Sequence, residues 1–226
     1  MDWAATMKAN LEQLKSLRGP DSVTPARLEE VKAFQSARLA ASYADVATEP
    51  RYRLATRFFL EDLYGPKDFS RRDASMLRIL PVMVRTLPDR AVETATLAIE
   101  LEALSESLDH RVAAALDRGP IDEESYGRAY REASTPAERE RQIELIVAVG
   151  ERLDALVTRP LVFRTLRLMR MPAKFAGLDD LQDFLERGFE AFRAMEGADE
   201  FLALVRTRET RILNRLFSGE PEPFSI

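Results

Sequence analysis

The stretch TPAERERQIELIVAVGERLDALV, residues 135–157, carries a helix signal that decides the fold class. Thr135 stands where an N-cap residue is expected, a proline follows at the first helical position, and Glu138 can bond back to the cap from the third position. Apolar residues then recur at helical spacing, for example at Ile143 and Ile146. The segment therefore predicts a long amphipathic α-helix.

The same kind of punctuation divides the rest of the chain into helices. Helical patterns end in Gly-Pro pairs at Gly19-Pro20, Gly65-Pro66 and Gly119-Pro120, because glycine adopts a left-handed conformation and proline cannot continue a helix. The marks predict helices near 3–17, 24–47, 51–64, 70–87, 89–117, 122–132, 135–157, 160–171, 179–195 and 198–217. No segment alternates as a strand does. We therefore expect an all-α fold, an irregular multi-helix bundle.

Length and composition bound the class of protein. A chain of 226 residues with 46% hydrophobic and 31% charged residues is typical of a globular protein. We expect a single helical domain over residues 1–218, with a candidate seam near 119–134 and a flexible tail over 219–226. There is no cysteine, which excludes disulfides, thiol catalysis and thiolate zinc sites.

Charge and hydropathy exclude further classes. No uncharged run approaches the roughly 18 residues of a membrane-spanning helix, and the N-terminal pattern lacks the basic start and apolar core of a signal peptide. The net charge of −5 argues against a nucleic-acid binder. We therefore expect a cytoplasmic protein without a transmembrane segment.

The usual catalytic and cofactor motifs are missing from the sequence. There is neither a G-x-G-x-x-G nor a G-x-x-x-x-G-K-[ST] pattern. Residues 179–183 read D-D-x-x-D, like the metal–diphosphate motif of helical isoprenoid synthases, but no second acidic motif faces it and acids at a helix start are favoured by the helix dipole. The sequence thus indicates no cofactor and leans away from an enzyme.

The stretch RFFLEDLYGPKDFSRRD, residues 57–73, supports two hypotheses. As a structural corner, it ends one helix at a Gly-Pro pair and caps the next. Asp62 follows Phe58 by one turn, near the buried side, so its charge needs a partner, and Arg71 or Arg72 is the nearest candidate. The alternative is a pocket lined by Asp62, Tyr64, Arg71 and Arg72.

His110 is the only histidine in the chain. It shares one helix face with Glu102 and Glu106, since the three are spaced four residues apart. This is half of a carboxylate–histidine metal site, but helical di-iron proteins use Glu-x-x-His on two helices. Without a second histidine we predict no metal site. Glu106 and His110 remain candidates for a small-ligand pocket.

A basic stretch stands out against the acidic background. TRPLVFRTLRLMRMPAKF, residues 158–175, contains no acid. Its cations are Arg159, Arg164, Arg167, Arg170 and Lys174. A basic amphipathic helix can lie on anionic lipid, dock an acidic partner or line an anion pocket, so Arg164, Arg167, Arg170 and Lys174 are predicted as a candidate anion or membrane surface.

Two of these stretches also carry a family resemblance. FFLEDLYGPKDFSRRD, residues 58–73, followed by ELEALSESLDH at 100–110, resembles an uncharacterised family of bacterial all-helical proteins with the pattern FFL-x-DLYGP-x-DF-x-x-RD. The similar portion runs from about residue 50 to 118. The resemblance implies an all-α fold and a bacterial origin, and it implies no activity.

Three functional hypotheses follow from the sequence. The first is a non-enzymatic protein that acts by binding a protein partner or by self-association. The second is a peripheral membrane or anionic-ligand binder that acts through the basic helix 159–174. The third is an enzyme or small-ligand pocket near Asp62, Tyr64 and His110.

Overall fold

The computed structural model describes residues 2–18, 27–63 and 89–225. Within these ranges the chain forms eleven α-helices and no strand, which confirms the all-α prediction. The helices are α1 (Trp3–Arg18), α2 (Leu28–Ser42), α3 (Ala44–Thr48), α4 (Arg53–Phe58), α5 (Asp89–Ala115), α6 (Glu123–Ala133), α7 (Pro136–Val157), α8 (Pro160–Leu168), α9 (Arg170–Phe175), α10 (Asp179–Ala194) and α11 (Asp199–Ser218). A π-helical turn, Phe59–Leu63, follows α4.

Most helix ends lie where the capping signals put them. Thr135 and Glu138 form the predicted capping box at the start of α7. α5 ends at Ala115, and Gly119 adopts its positive φ of 136° in the loop beyond it. The predicted helix 70–87 and the Gly-Pro pairs at residues 19–20 and 65–66 lie outside the described residues.

Three of the predicted helices are not continuous α-helices over their predicted range. The predicted helix 24–47 divides at Tyr43, where Arg208 of α11 donates to the Ser42 carbonyl over 2.7 Å. The predicted helix 160–171 ends at Leu168, because Pro172 has no N–H to donate to the Leu168 carbonyl. The predicted helix 51–64 changes to π geometry at residue 59.

Among the described residues, the buried apolar side chains form three clusters. The first joins α7, α10 and α11 to the α2–α4 region, around Phe192, Phe201 and Leu202. The second cluster joins α2, α5, α6 and α11. The third cluster joins α1 to α5, so α5 contributes to both. None of the described helices is both long and apolar enough to cross a bilayer.

Candidate functional site

The basic stretch of the sequence forms a surface with exposed apolar side chains. On α8 and α9, Leu168 is 78% exposed, Met171 59% and Phe175 84%. They alternate with exposed cations. We call this set the α8–α9 surface: Arg164, Arg167, Leu168, Met171, Lys174 and Phe175. Large apolar side chains this exposed and this close in sequence mark an interaction surface.

The opposite side of α8 anchors this surface to the core. Val162, Phe163 and Leu166 pack against the first core cluster. Phe163 stacks on Phe189 of α10 with ring centroids 5.2 Å apart. Gln182 of α10 donates to the Leu166 carbonyl over 2.6 Å. This apolar side of α8 is therefore used for folding, and the exposed apolar residues belong to the outer face.

The cations of this segment divide into two groups. Arg170 turns towards α10 and forms an ion pair with Glu186, and its guanidinium holds the Glu186 pKa below the usual range. Within the part of the chain that the structure describes, no ion pair involves Arg164, Arg167 or Lys174. Arg167 instead lies over the Phe163 ring, 5.5 Å from its centroid. Three of the four predicted surface cations thus keep their charge available for an external anion.

Asp62 lies in the π-helical turn and is buried, as its position after Phe58 indicated. Its Oδ1 lies 3.0 Å from Nη2 of Arg187 in α10, and Arg187 Nε donates to Oδ2 over 3.1 Å. Tyr64, Arg71 and Arg72 lie outside the described residues. Within those residues, Asp62 therefore contributes to an interhelical charge pair that holds α10 against the π-helical turn.

Glu106 and His110 share one face of α5, as their spacing predicted. Glu106 is 3% exposed and accepts from Arg18 Nε over 2.8 Å and from Lys32 Nζ over 2.9 Å. Burial raises its pKa, but Arg18 and Lys32 outweigh that effect and lower it. His110 Nε2 lies 3.5 Å from Glu106 Oε1, and burial lowers the His110 pKa, so the ring is neutral at pH 7. This group joins α1 and α2 to α5.

The described members of the predicted pocket, Asp62, Glu106 and His110, do not line the cavity between the helices. A cavity of about 80 Å³ lies between α2, α4, α6, α7 and α11, and neither Asp62, Glu106 nor His110 contributes to its wall. Its polar side chains include Arg38 and Arg139, which the sequence analysis did not single out. Arg139 could have been found, because it lies on the same helical face as Ile143 and Ile146, and a charge on an apolar face is unusual.

Arg38 has its charge balanced inside this cavity. Its Nη1 lies 2.9 Å from both carboxylate oxygens of Glu209, and the Tyr43 hydroxyl donates to the same carboxylate over 3.0 Å. Burial would lower the Arg38 pKa, but Glu209 raises it above its ordinary value. Burial and Glu209 also raise the Tyr43 pKa. This triad is a satisfied network that ties α2 to α11.

Comparison with known proteins places the chain in a family. A family model described as a domain of unknown function, DUF8198, matches residues 16–223. No curated protein and no solved structure matches the chain. The family match extends far beyond residues 50–118, over which the sequence resembles an uncharacterised family. The chain therefore belongs to the family of the domain of unknown function DUF8198.

Proposed function

We propose that the protein is a cytoplasmic bacterial protein that docks onto an anionic lipid surface through the α8–α9 surface. The observation that carries this proposal is the exposure of Leu168, Met171 and Phe175 beside cations that form no ion pair among the described residues. Such a face lies in the membrane interface, with apolar side chains at the acyl boundary and cations at the headgroups.

Charge favours lipid over a second copy of the chain. A symmetric dimer would pair this surface with itself, which would bring Arg164, Arg167 and Lys174 of one copy against those of the other. These like charges would repel each other in a dimer, whereas an anionic bilayer attracts them. Each Lys or Arg near an anionic bilayer contributes about 1 kcal/mol, so three cations contribute about 3 kcal/mol. The expected binding is reversible.

The charge elsewhere on the molecule favours one orientation. The chain carries a net charge of −5, so most other faces are repelled by an anionic bilayer. On α10, Glu186 forms a hydrogen bond with Arg170 and raises its pKa, and Glu190 and Asp183 add to this effect. Arg164, Arg167 and Lys174 are then left to face the headgroups.

Sedimentation with lipid vesicles tests this proposal. We expect the protein to sediment with phosphatidylcholine vesicles that contain phosphatidylglycerol, to remain in solution with pure phosphatidylcholine, and to dissociate as salt is added. The double change Arg164→Glu and Arg167→Glu should abolish binding. The pair Leu168→Ser and Phe175→Ser should weaken it without altering net charge.

A control of equal charge makes the test specific. Arg206 and Arg211 are exposed on α11, so Arg206→Glu with Arg211→Glu changes the net charge by the same amount and should leave sedimentation intact. If both double variants lost sedimentation equally, net charge alone would explain the binding, and the proposal would be contradicted. A wild-type dimer that Phe175→Ser converts to a monomer would assign the surface to self-association instead.

A further inference from the structure

The internal cavity contains one cation whose hydrogen bonding is incomplete. Arg139, in the first turn of α7, is 2% exposed. Its Nε donates to Ser134 Oγ over 3.1 Å and its Nη1 donates to Gln142 Oε1 over 3.2 Å. Its Nη2 is buried and has no hydrogen-bond partner. A buried donor without a partner loses its hydration without compensation, so this nitrogen is poised to bind an acceptor.

No carboxylate within the described residues forms an ion pair with Arg139. Its guanidinium lies over the Tyr130 ring, 4.0 Å from the centroid. Asp109 lies within electrostatic reach of Arg139, and burial raises the pKa of that carboxyl to about 6 despite the attraction of Arg139. Glu209, the carboxylate in the cavity wall, is engaged by Arg38 and Tyr43. Arg139 therefore retains positive charge that an anion could balance.

Much of the cavity wall is apolar. Phe59, Ile143, Ile146, Phe201 and Val205 contribute to it, beside polar groups such as Gln35 and Thr56. The volume of about 80 Å³ is several times the space that one water molecule requires. A ligand that fits both parts of the wall has one acceptor group for Arg139 and a short apolar body.

We propose that this cavity binds a small monocarboxylic acid, with its carboxylate on Arg139 Nη2 and its apolar body against Ile146, Phe201 and Val205. A dianion such as phosphate is disfavoured, because Glu209 and Asp109 would repel the second negative charge. A neutral molecule of the same shape would leave the Arg139 charge unbalanced. This inference goes beyond the proposed lipid docking, and the α8–α9 surface takes no part in it.

Isothermal titration calorimetry of the full chain tests the inference. The probes are acetate, butyrate and benzoate, with butyramide as the neutral counterpart and inorganic phosphate as the competing anion, all at one ionic strength. We expect butyrate or benzoate to bind more tightly than butyramide and phosphate. Arg139→Met should weaken carboxylate binding about tenfold or more, as the loss of a charged hydrogen bond does. Arg141→Gln, an exposed change on the same helix, should leave it unchanged.

A second variant keeps the test decisive if Arg139→Met fails to fold. Ile146→Phe fills the apolar part of the cavity, keeps Arg139, and should abolish carboxylate binding while circular dichroism shows an unchanged helix content. The inference is overturned if no carboxylate binds the wild type, if phosphate binds more tightly than every carboxylate, or if the folded variants bind carboxylates as the wild type does.

Discussion

Glu106 and Asp109 lie one turn apart on α5, and their pKa values shift in opposite directions. Burial raises the pKa of both carboxyls. At Glu106, Arg18 and Lys32 outweigh burial, whereas at Asp109 the attraction of Arg139 and Lys32 does not. The same helix therefore carries one carboxylate that stabilises the fold in its charged form and one that destabilises it.

The Asp109→Asn change should make the protein more stable at neutral pH. The pKa of Asp109 rises from 3.8 to about 6 on folding, so the folded state binds this proton more tightly than the unfolded state. Its ionised form therefore lowers the free energy of unfolding above pH 6, and this effect disappears as the pH falls towards 4. For a partly exposed group we expect a gain of about 1–2 kcal/mol at pH 7 and none near pH 4.

Urea unfolding of both proteins at pH 7 and pH 4 measures this difference. The exposed Asp117 offers a matched control, because Asp117→Asn should change the free energy of unfolding by less than about 0.5 kcal/mol at either pH. Equal stability of wild type and Asp109→Asn at pH 7 would contradict the assignment.

At the scale of the helices, α7 and α11 are in close contact at Gly150. A Cβ atom on Gly150 would overlap the side chain of Leu202, which is 2% exposed and has little room to move. On α6, a Cβ atom on Gly127 would meet Leu216 Cδ2 at an ordinary 3.5 Å. Gly127 and Gly150 therefore differ in how much space the neighbouring helix leaves for a side chain.

We expect Gly150→Ala and Gly127→Ala to change stability in opposite directions. Alanine is favoured over glycine inside a helix by about 1 kcal/mol, and Gly127→Ala should gain up to that amount. At Gly150 the overlap with Leu202 should cost more than the gain, and we expect a net loss of about 1–2 kcal/mol. Thermal unfolding followed by circular dichroism compares the two variants, and a stabilised Gly150→Ala would show that α7 and α11 separate easily.

Helix positions could be predicted because their causes are local. The capping box of Thr135 and Glu138 lies within four residues, and the structure contains it where the sequence indicated. The break at Tyr43 could not be predicted, because the Ser42 carbonyl accepts a hydrogen bond from Arg208. Arg208 lies more than 160 residues further along the chain. Pro172 was a local signal for the end of α8, and the pattern of apolar residues obscured it.

At the scale of the whole molecule, the candidate sites were predictable only in part. Although the exposure of Leu168, Met171 and Phe175 did not follow from the sequence, the basic surface of α8 and α9 was predictable from its charge pattern. The cavity was not, since Arg139 and its surroundings come from five separate helices. Among the described residues, the pairing of Asp62 with Arg187 was equally remote, because Arg187 belongs to α10. Pairings between distant segments depend on tertiary packing, which spacing along the chain does not reveal.

The segment after α11 allows a test of the prediction that the helical domain ends at residue 218 and a flexible tail begins at 219. Phe224 lies 6.0 Å from the rings of Phe34 and Tyr126, and it lines the cavity. We expect Phe224→Ala to lower the free energy of unfolding by about 1–3 kcal/mol, less than a fully buried phenylalanine. Phe175→Ala, at an exposed position, should change it by less than about 0.5 kcal/mol. An unchanged stability for Phe224→Ala would support the flexible tail predicted over 219–226.

The exposed methionines of α8 and α9 make this face of the protein chemically oxidisable. Met169 is 48% exposed and Met171 59%, whereas Met7 and Met195 are fully enclosed. Oxidants convert an accessible thioether to a polar sulfoxide, and reductases reverse the reaction. Among the described methionines, peroxide would therefore modify those of the outer face before those of the core. The affinity of that face for an apolar environment would fall under oxidative stress and recover on repair.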